Sequence, residues 1–245
     1  MKKPPVSLQL FSLRTLTKDD FAAAIAPLAS HGYAGVETAG YGNLDAAGAA
    51  AAIKAAGLAC SGQHVSIAAL RGDFNKVVCE AHLLGTTNII VPYFPREMLA
   101  TAAAARELGR ELNELGARLH AHGLQLHYHN HDHEVRTVEG RLILDWMLDV
   151  SAPQNLLCQA DVYWLHTAGK NPVDFIREQG RRIKLMHFKD EKEIGLGPVD
   201  FAPIFDAADS VGALEWQVLE IEKYNHEPLE SIRLSIEQFK KWGRC

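Results

Sequence analysis

Only four cysteines occur in the 245 residues, Cys60, Cys79, Cys158 and Cys245, and no two form a C-x-x-C pair. Neither a thiolate zinc site nor a disulfide framework is indicated, and a reducing cytoplasm is the expected setting. No stretch reaches the roughly 18 consecutive apolar residues of a membrane span. The Ala-rich segments 46–56 and 100–105 contain or adjoin Gly, Lys, Thr or Arg and read as helix. At the start, Lys2 and Lys3 resemble the basic end of a signal peptide, but Ser7, Gln9, Ser12 and Arg14 interrupt any apolar segment behind them, so secretion is not expected. No G-x-G-x-x-G or P-loop is present. No Pro/Ser linker, low-complexity tail or charge block marks a boundary, and residues 1–245 are expected to form a single domain. A strong charge of one sign is also lacking: 25 basic against 30 acidic residues give −5, which argues against a nucleic-acid groove and favours small-molecule partners.

What is present is an ordinary globular composition, 47% hydrophobic and 22% charged, which excludes disorder or coiled coil as the main organisation. Twelve histidines are the first hint of metal or proton chemistry. Short apolar runs alternate with longer amphipathic stretches, as strands do with crossover helices. Eight strands are expected, at Val6–Leu10, Gly35–Glu37, Leu58–Gln63, Asn88–Val91, Leu124–His129, Leu156–Ala160, Ile183–His187 and Trp216–Glu220. Helices are expected at 19–31, 45–56, 74–84, 99–122, 142–149, 172–179, 201–211 and 229–241, several ending in a stop signal such as Ala56-Gly57 or Leu84-Gly85. Eight such units in about 250 residues point to one (β/α)8 TIM barrel; the rival, an open doubly wound sheet, commonly places a Gly-rich loop after its first strand, where this chain has Leu10-Phe-Ser-Leu-Arg14.

Barrel active sites lie at the C-terminal ends of the strands. Those ends carry Gln9 and Arg14, Glu37, Gln63-His64, His127-Tyr-His-Asn-His-Asp-His-Glu134, Gln159-Ala-Asp161, His187-Phe-Lys-Asp190 and Glu220-Ile-Glu222. Each residue has a plain alternative: Asp161 as a helix cap, His187 as a hydrogen-bonded core imidazole, Glu220 as a partner of Lys189. Three of them at one rim are harder to explain so, because burying two carboxylates and an imidazole together is costly unless a cation compensates. Mixed carboxylate and imidazole ligands suit Mn²⁺, Mg²⁺, Zn²⁺ or Co²⁺ without selecting among them. Strand alternation puts His127, His129 and His131 on one side and Tyr128 and Asn130 on the other, and one ion cannot bind every imidazole. His133-Glu134 does not continue into H-E-x-x-H, since position 137 is Thr137.

At these residues the chain resembles the sugar phosphate isomerase/epimerase family, the xylose isomerase-like TIM barrels. The resemblance spans nearly the whole chain through Gln9–Arg14, Gly32–Glu37, Ser61–Ser66, Leu84–Tyr93, Tyr128–Glu134, Asp161–Trp164, Met186–Asp190 and Val218–Glu220, whose order is more specific than any one of them. It implies one divalent metal ion held by a Glu, an Asp, a His and a second Glu. Asp161, His187 and Glu220 match the last three, with Glu222 sharing the facing of Glu220. For the first ligand Glu134 is the expectation and His129 the rival, since His129 stands nearest the family's position.

The resemblance further implies isomerisation, epimerisation or dehydration of a sugar, keto-sugar or polyol by proton abstraction next to a carbonyl. Glu134, His129 and Glu222 are then the candidate acids and bases, and Lys189 the group that steadies developing negative charge. Arg14, His64 and Trp164 are the candidate substrate-binding residues, with Tyr93 and Phe11 as further aromatic wall. A phosphorylated substrate is not expected, because no Gly-rich loop or basic cluster lies on the rim. The alternatives are an abasic-site endonuclease-like hydrolase, which the acidic net charge disfavours, and a non-catalytic metal- or sugar-binding barrel. Neither nucleic acid nor membrane is an expected partner; a homo-oligomer is open.

Overall fold

The computed structural model describes residues 3–245. Eight parallel strands close into a barrel: β1 (Val6–Gln9), β2 (Gly35–Thr38), β3 (Ala59–His64), β4 (Asn88–Val91), β5 (Gln125–His129), β6 (Leu157–Asp161), β7 (Ile183–Lys189) and β8 (Trp216–Glu220). Each pairs with its neighbours in sequence, and β8 returns to β1 with Val6 opposite Gln217. This is the expected TIM barrel, with helices between the strands.

The strands alternate between two environments. On β5, Leu126 and Tyr128 belong to the apolar layer between sheet and helices, whereas His127 and His129 are buried polar groups on the opposite face. On β7 the same division sets Met186 and Phe188 apart from His187 and Lys189, and Phe188 packs among Phe201, Phe205 and Phe239. The barrel's interior is therefore polar over much of its height, with Ser61 donating to Ser7 and His127 bonded to Asn88 beneath the top layer. Gly62 makes room there: a Cβ on it would lie 2.5 Å from Ile90 Cδ1 and 3.2 Å from Glu37 Oε2.

Helix starts follow local capping chemistry. Asp45, Ser66, Thr101 and Asn171 each accept a backbone N–H of the helix they precede, and Pro172 follows Asn171 at the first helical position. The helix expected over 19–31 is instead two pieces, Phe21–Ile25 and Leu28–His31, preceded by a separate short helix, Arg14–Asp19. Asp20 leaves the helical conformation to cap Ala23 N, and Pro27 precedes the last piece. A short hairpin, Thr137–Val138 with Arg141–Leu142, was not anticipated; it turns through Glu139, the one non-glycine residue of positive φ among the described residues.

Candidate metal centre and substrate cavity

Strand register sets the site. Asp161 at the end of β6 lies beside His187 on β7, and Glu220 at the end of β8 lies beside Lys189. His129 ends β5 beside Gln159, and Gln9 ends β1 beside Glu37. Ligand atoms of His129, Asp161, His187 and Glu220, all buried, come within 4.8 Å of one another. His64, His129 and His187 form a second overlapping group, but Nε2 of His64 is 2.8 Å from Glu37 Oε1.

Asp161 has two distinct oxygens. Its Oδ1 caps the following helix, accepting from Tyr163 N at 2.9 Å and Trp164 N at 3.0 Å. Its Oδ2 is buried, has no hydrogen-bond partner among the described residues and lies 3.9 Å from His187 Nδ1. Burial pushes the Asp161 carboxyl up to about 6, against the attraction of Lys189 and His187. An orphaned carboxylate oxygen facing an imidazole nitrogen and a second carboxylate is the arrangement a divalent cation completes, so the residues present fit such an ion.

The neighbours respond to the same field. Burial alone would raise Glu220, but Lys189 and His187 hold it down to about 2. His187 is pushed up to about 10, because Glu37 and Glu220 outweigh the cost of burying its charge. His129 lies well below the ordinary imidazole value, through burial and then the positive charge of His187, and is a neutral donor ready for a metal. Burial would lower Lys189 too, yet Glu220 and Asp161 raise it, so it stays an ammonium. Its Nζ is 3.4 Å from Glu220 Oε2, contacts Glu222 Oε1, and sits 4.6 Å from the centre of the Trp164 ring.

Above the cluster opens a cavity of about 490 Å³ lined by Phe11, His64, Tyr93, His129, His131, Trp164, Glu220 and Glu222, among others. Of the expected site residues, His64, His129, Trp164, Glu220 and Glu222 line it, and Asp161, His187 and Lys189 adjoin it. Arg14 stands at the exposed rim, donating to Phe11 O, Tyr224 OH and Glu222 O.

Glu134, the expected first ligand, stands elsewhere. It is not brought to the cluster, because the chain leaves β5 and folds the carboxylate back onto the strand's outer face. There it accepts from Tyr128 OH at 2.7 Å and His131 N at 2.9 Å, and lies 3.0 Å from His133 Nε2. It fixes the loop after β5, and His129 is the fourth residue of the cluster.

Gln9, Glu37 and Gln159 read in the sequence only as polar strand ends, yet they form the scaffold under the cluster: Glu37 is fully buried, bonded to Gln9, Gln159 and His187, and close to His64. Their shared inward parity with His129 and His187 was the available signal. His131 was likewise passed over; its ring stands 5.0 Å from His129 and 5.6 Å from Trp164, and its Nδ1 is buried without a partner among the described residues.

No curated protein sequence matches the chain. Among solved structures, a sugar phosphate isomerase/epimerase from Parabacteroides distasonis ATCC 8503 superposes with a TM-score of 0.85 at 22% identity, covering 98% of this chain and 97% of that one. A D-allulose 3-epimerase from Methylomonas sp. does so with 0.74 at 15% identity over 98% of each chain. An AP endonuclease, family 2, from Brucella melitensis gives 0.72 at 16% identity over 97% and 99%. At these identities the likeness is one of fold. The model of the xylose isomerase-like TIM barrel family matches residues 25–242, and the chain belongs to that family.

Proposed function

We propose that the protein is a divalent-metal-dependent isomerase or epimerase of a sugar, keto-sugar or polyol, working by proton transfer next to a carbonyl, with dehydration as the lyase variant of the same chemistry. The observation that carries this reading is the convergence of His129, Asp161, His187 and Glu220 at the base of the cavity, with Asp161 Oδ2 unpartnered among the described residues. A cation held by these four would serve as a Lewis acid toward a carbonyl or hydroxyl oxygen.

The chain's own groups supply the rest. Trp164, Tyr93 and Phe11 offer apolar faces for the C–H surface of a sugar, and His131 and His64 stand among them for its hydroxyls. Glu222, with a third of its side chain exposed, sits at the cavity wall where a carboxylate exchanges protons with both substrate and solvent. Lys189 keeps its charge and stands between Glu220 and Glu222, placed to steady negative charge that develops on a substrate oxygen. No arginine lines the cavity among the described residues, and Lys189 is already paired, so an unphosphorylated substrate fits better than a phosphate dianion. The net charge of −5 favours this reading over the abasic-site nuclease.

The test is incubation of the Mn²⁺-loaded protein with ketohexoses and inososes in D₂O, followed by proton NMR of both product and recovered substrate. Loss of the signal at the carbon next to the carbonyl is expected. A metal-loaded protein that converts a substrate with no solvent deuterium in either pool, or that converts none of the panel, would overturn the assignment.

A further inference from the structure

Glu37 does not line the cavity, yet three N–H donors converge on it: Gln9 Nε2 at 2.7 Å and His187 Nε2 at 2.7 Å on Oε1, and Gln159 Nε2 at 2.6 Å on Oε2, with His64 Nε2 2.8 Å from Oε1. A carboxylate only accepts, so each partner must turn a proton toward it, which settles orientations that are otherwise ambiguous. Gln9 is fixed independently, since its Oε1 accepts from Phe11 N. Gln159, with its amide nitrogen on Glu37, presents Oε1 to His129 Nδ1 at 3.0 Å. An amide oxygen also only accepts, so His129 Nδ1 bears the proton and its lone pair is on Nε2. His187 donates from Nε2 to Glu37, so in the neutral ring the lone pair is on Nδ1. That nitrogen faces the carboxylates, 3.1 Å from Glu220 Oε2 and 3.9 Å from Asp161 Oδ2.

We propose that Glu37 is the positioning residue of the centre: directly through His187, and through Gln159 to His129, it sets the two imidazoles in opposite tautomers, so that a divalent cation is taken by Nδ1 of His187 and Nε2 of His129. The inference rests on the metal reading above and deepens it. A buried carboxylate with a merely structural role would hold the strands together without choosing ring nitrogens; this one selects the donor atom on each ligand.

The experiment uses the full chain labelled with ¹⁵N-histidine and loaded with ¹¹³Cd²⁺, whose scalar coupling to nitrogen identifies the bound ring atom. Coupling at His187 Nδ1 and His129 Nε2 is expected. Coupling through Nε2 of His187, or through the same nitrogen on both rings, would overturn the role of Glu37 while leaving the metal site standing. Failure to bind cadmium in stoichiometric amount would instead remove the metal reading on which it rests. Glu37→Gln turns an N–H toward one of its former donors and should weaken cadmium binding by about tenfold to a hundredfold, with the His187 coupling shifted or lost. Gln159→Leu should disturb the His129 coupling and leave that of His187 in place. Unchanged affinity and couplings in both variants would refute the proposal, and should either variant not fold, the wild-type spectrum decides.

Discussion

Asparagine at position 161 separates the two tasks of Asp161. The side-chain oxygen that caps Tyr163 N and Trp164 N is kept, and only the charge at the orphaned Oδ2 is removed. Burial raises this carboxyl from 3.8 to about 6, a difference of about 2 pK units or about 3 kcal/mol at 1.36 kcal/mol per unit. The group binds its proton more tightly folded than unfolded. Its contribution to stability is therefore complete below pH 3.8 and is lost as pH rises through 6, leaving a folding penalty at neutral pH. In urea at pH 7.5 without metal, Asp161→Asn should be more stable than wild type by about 1–3 kcal/mol, the lower figure allowing for an amide that must find its own partners. At pH 4 the gap should nearly close. Metal reverses the order: at a thousandfold excess over its dissociation constant a bound ion adds about 4 kcal/mol to wild type, while the variant, short of one anionic ligand, gains far less. A variant less stable than wild type in metal-free buffer at pH 7.5, or two proteins stabilised equally by Mn²⁺, would refute the reasoning.

Glu134→Gln should leave metal affinity unchanged and lower folding stability by about 1–3 kcal/mol, since it weakens the bonds from Tyr128, His131 and His133; His129→Gln should do the reverse to affinity, and calorimetric titration of both with Zn²⁺ checks the pair. Lys189→Met takes a positive charge from beside Glu220, so Mn²⁺ should bind at least as tightly while turnover falls tenfold or more and the metal-free protein loses on the order of 3 kcal/mol; weaker Mn²⁺ binding would count against the arrangement.

The barrel was legible because its signals are local and repeated. Period-two alternation and Gly stops located all eight strands to within about two residues, for instance Asn88–Val91 and Trp216–Glu220 as expected. The first helix was misread because Asp20 caps from within an apolar-periodic stretch, where composition does not reveal a break in dihedral angles. The same alternation made Asp161, His187 and Glu220 readable as a cluster: Asp161 and Glu220 end their strands, His187 lies two residues before the end of β7, and their facing follows from register.

Where the strand stops, that logic stops with it. His129 is the last residue of β5 and Glu134 lies five residues beyond, in a loop whose direction no periodicity sets. Only the fold shows Glu134 turned to Tyr128 on the helix side of the sheet and His129 turned inward. The distinction decides the charge of the centre. Two carboxylates, Asp161 and Glu220, would balance a dication held there, and the neutral His129 would add nothing, whereas a third carboxylate in its place would leave the centre anionic. The Lys189 ammonium is itself offset by Glu222, and Glu37 by the donors that surround it. With His129 neutral, the carboxylates that line the cavity are Glu220 and Glu222, both from the β8 side, and these are the groups from which the proposed proton transfer would have to be arranged.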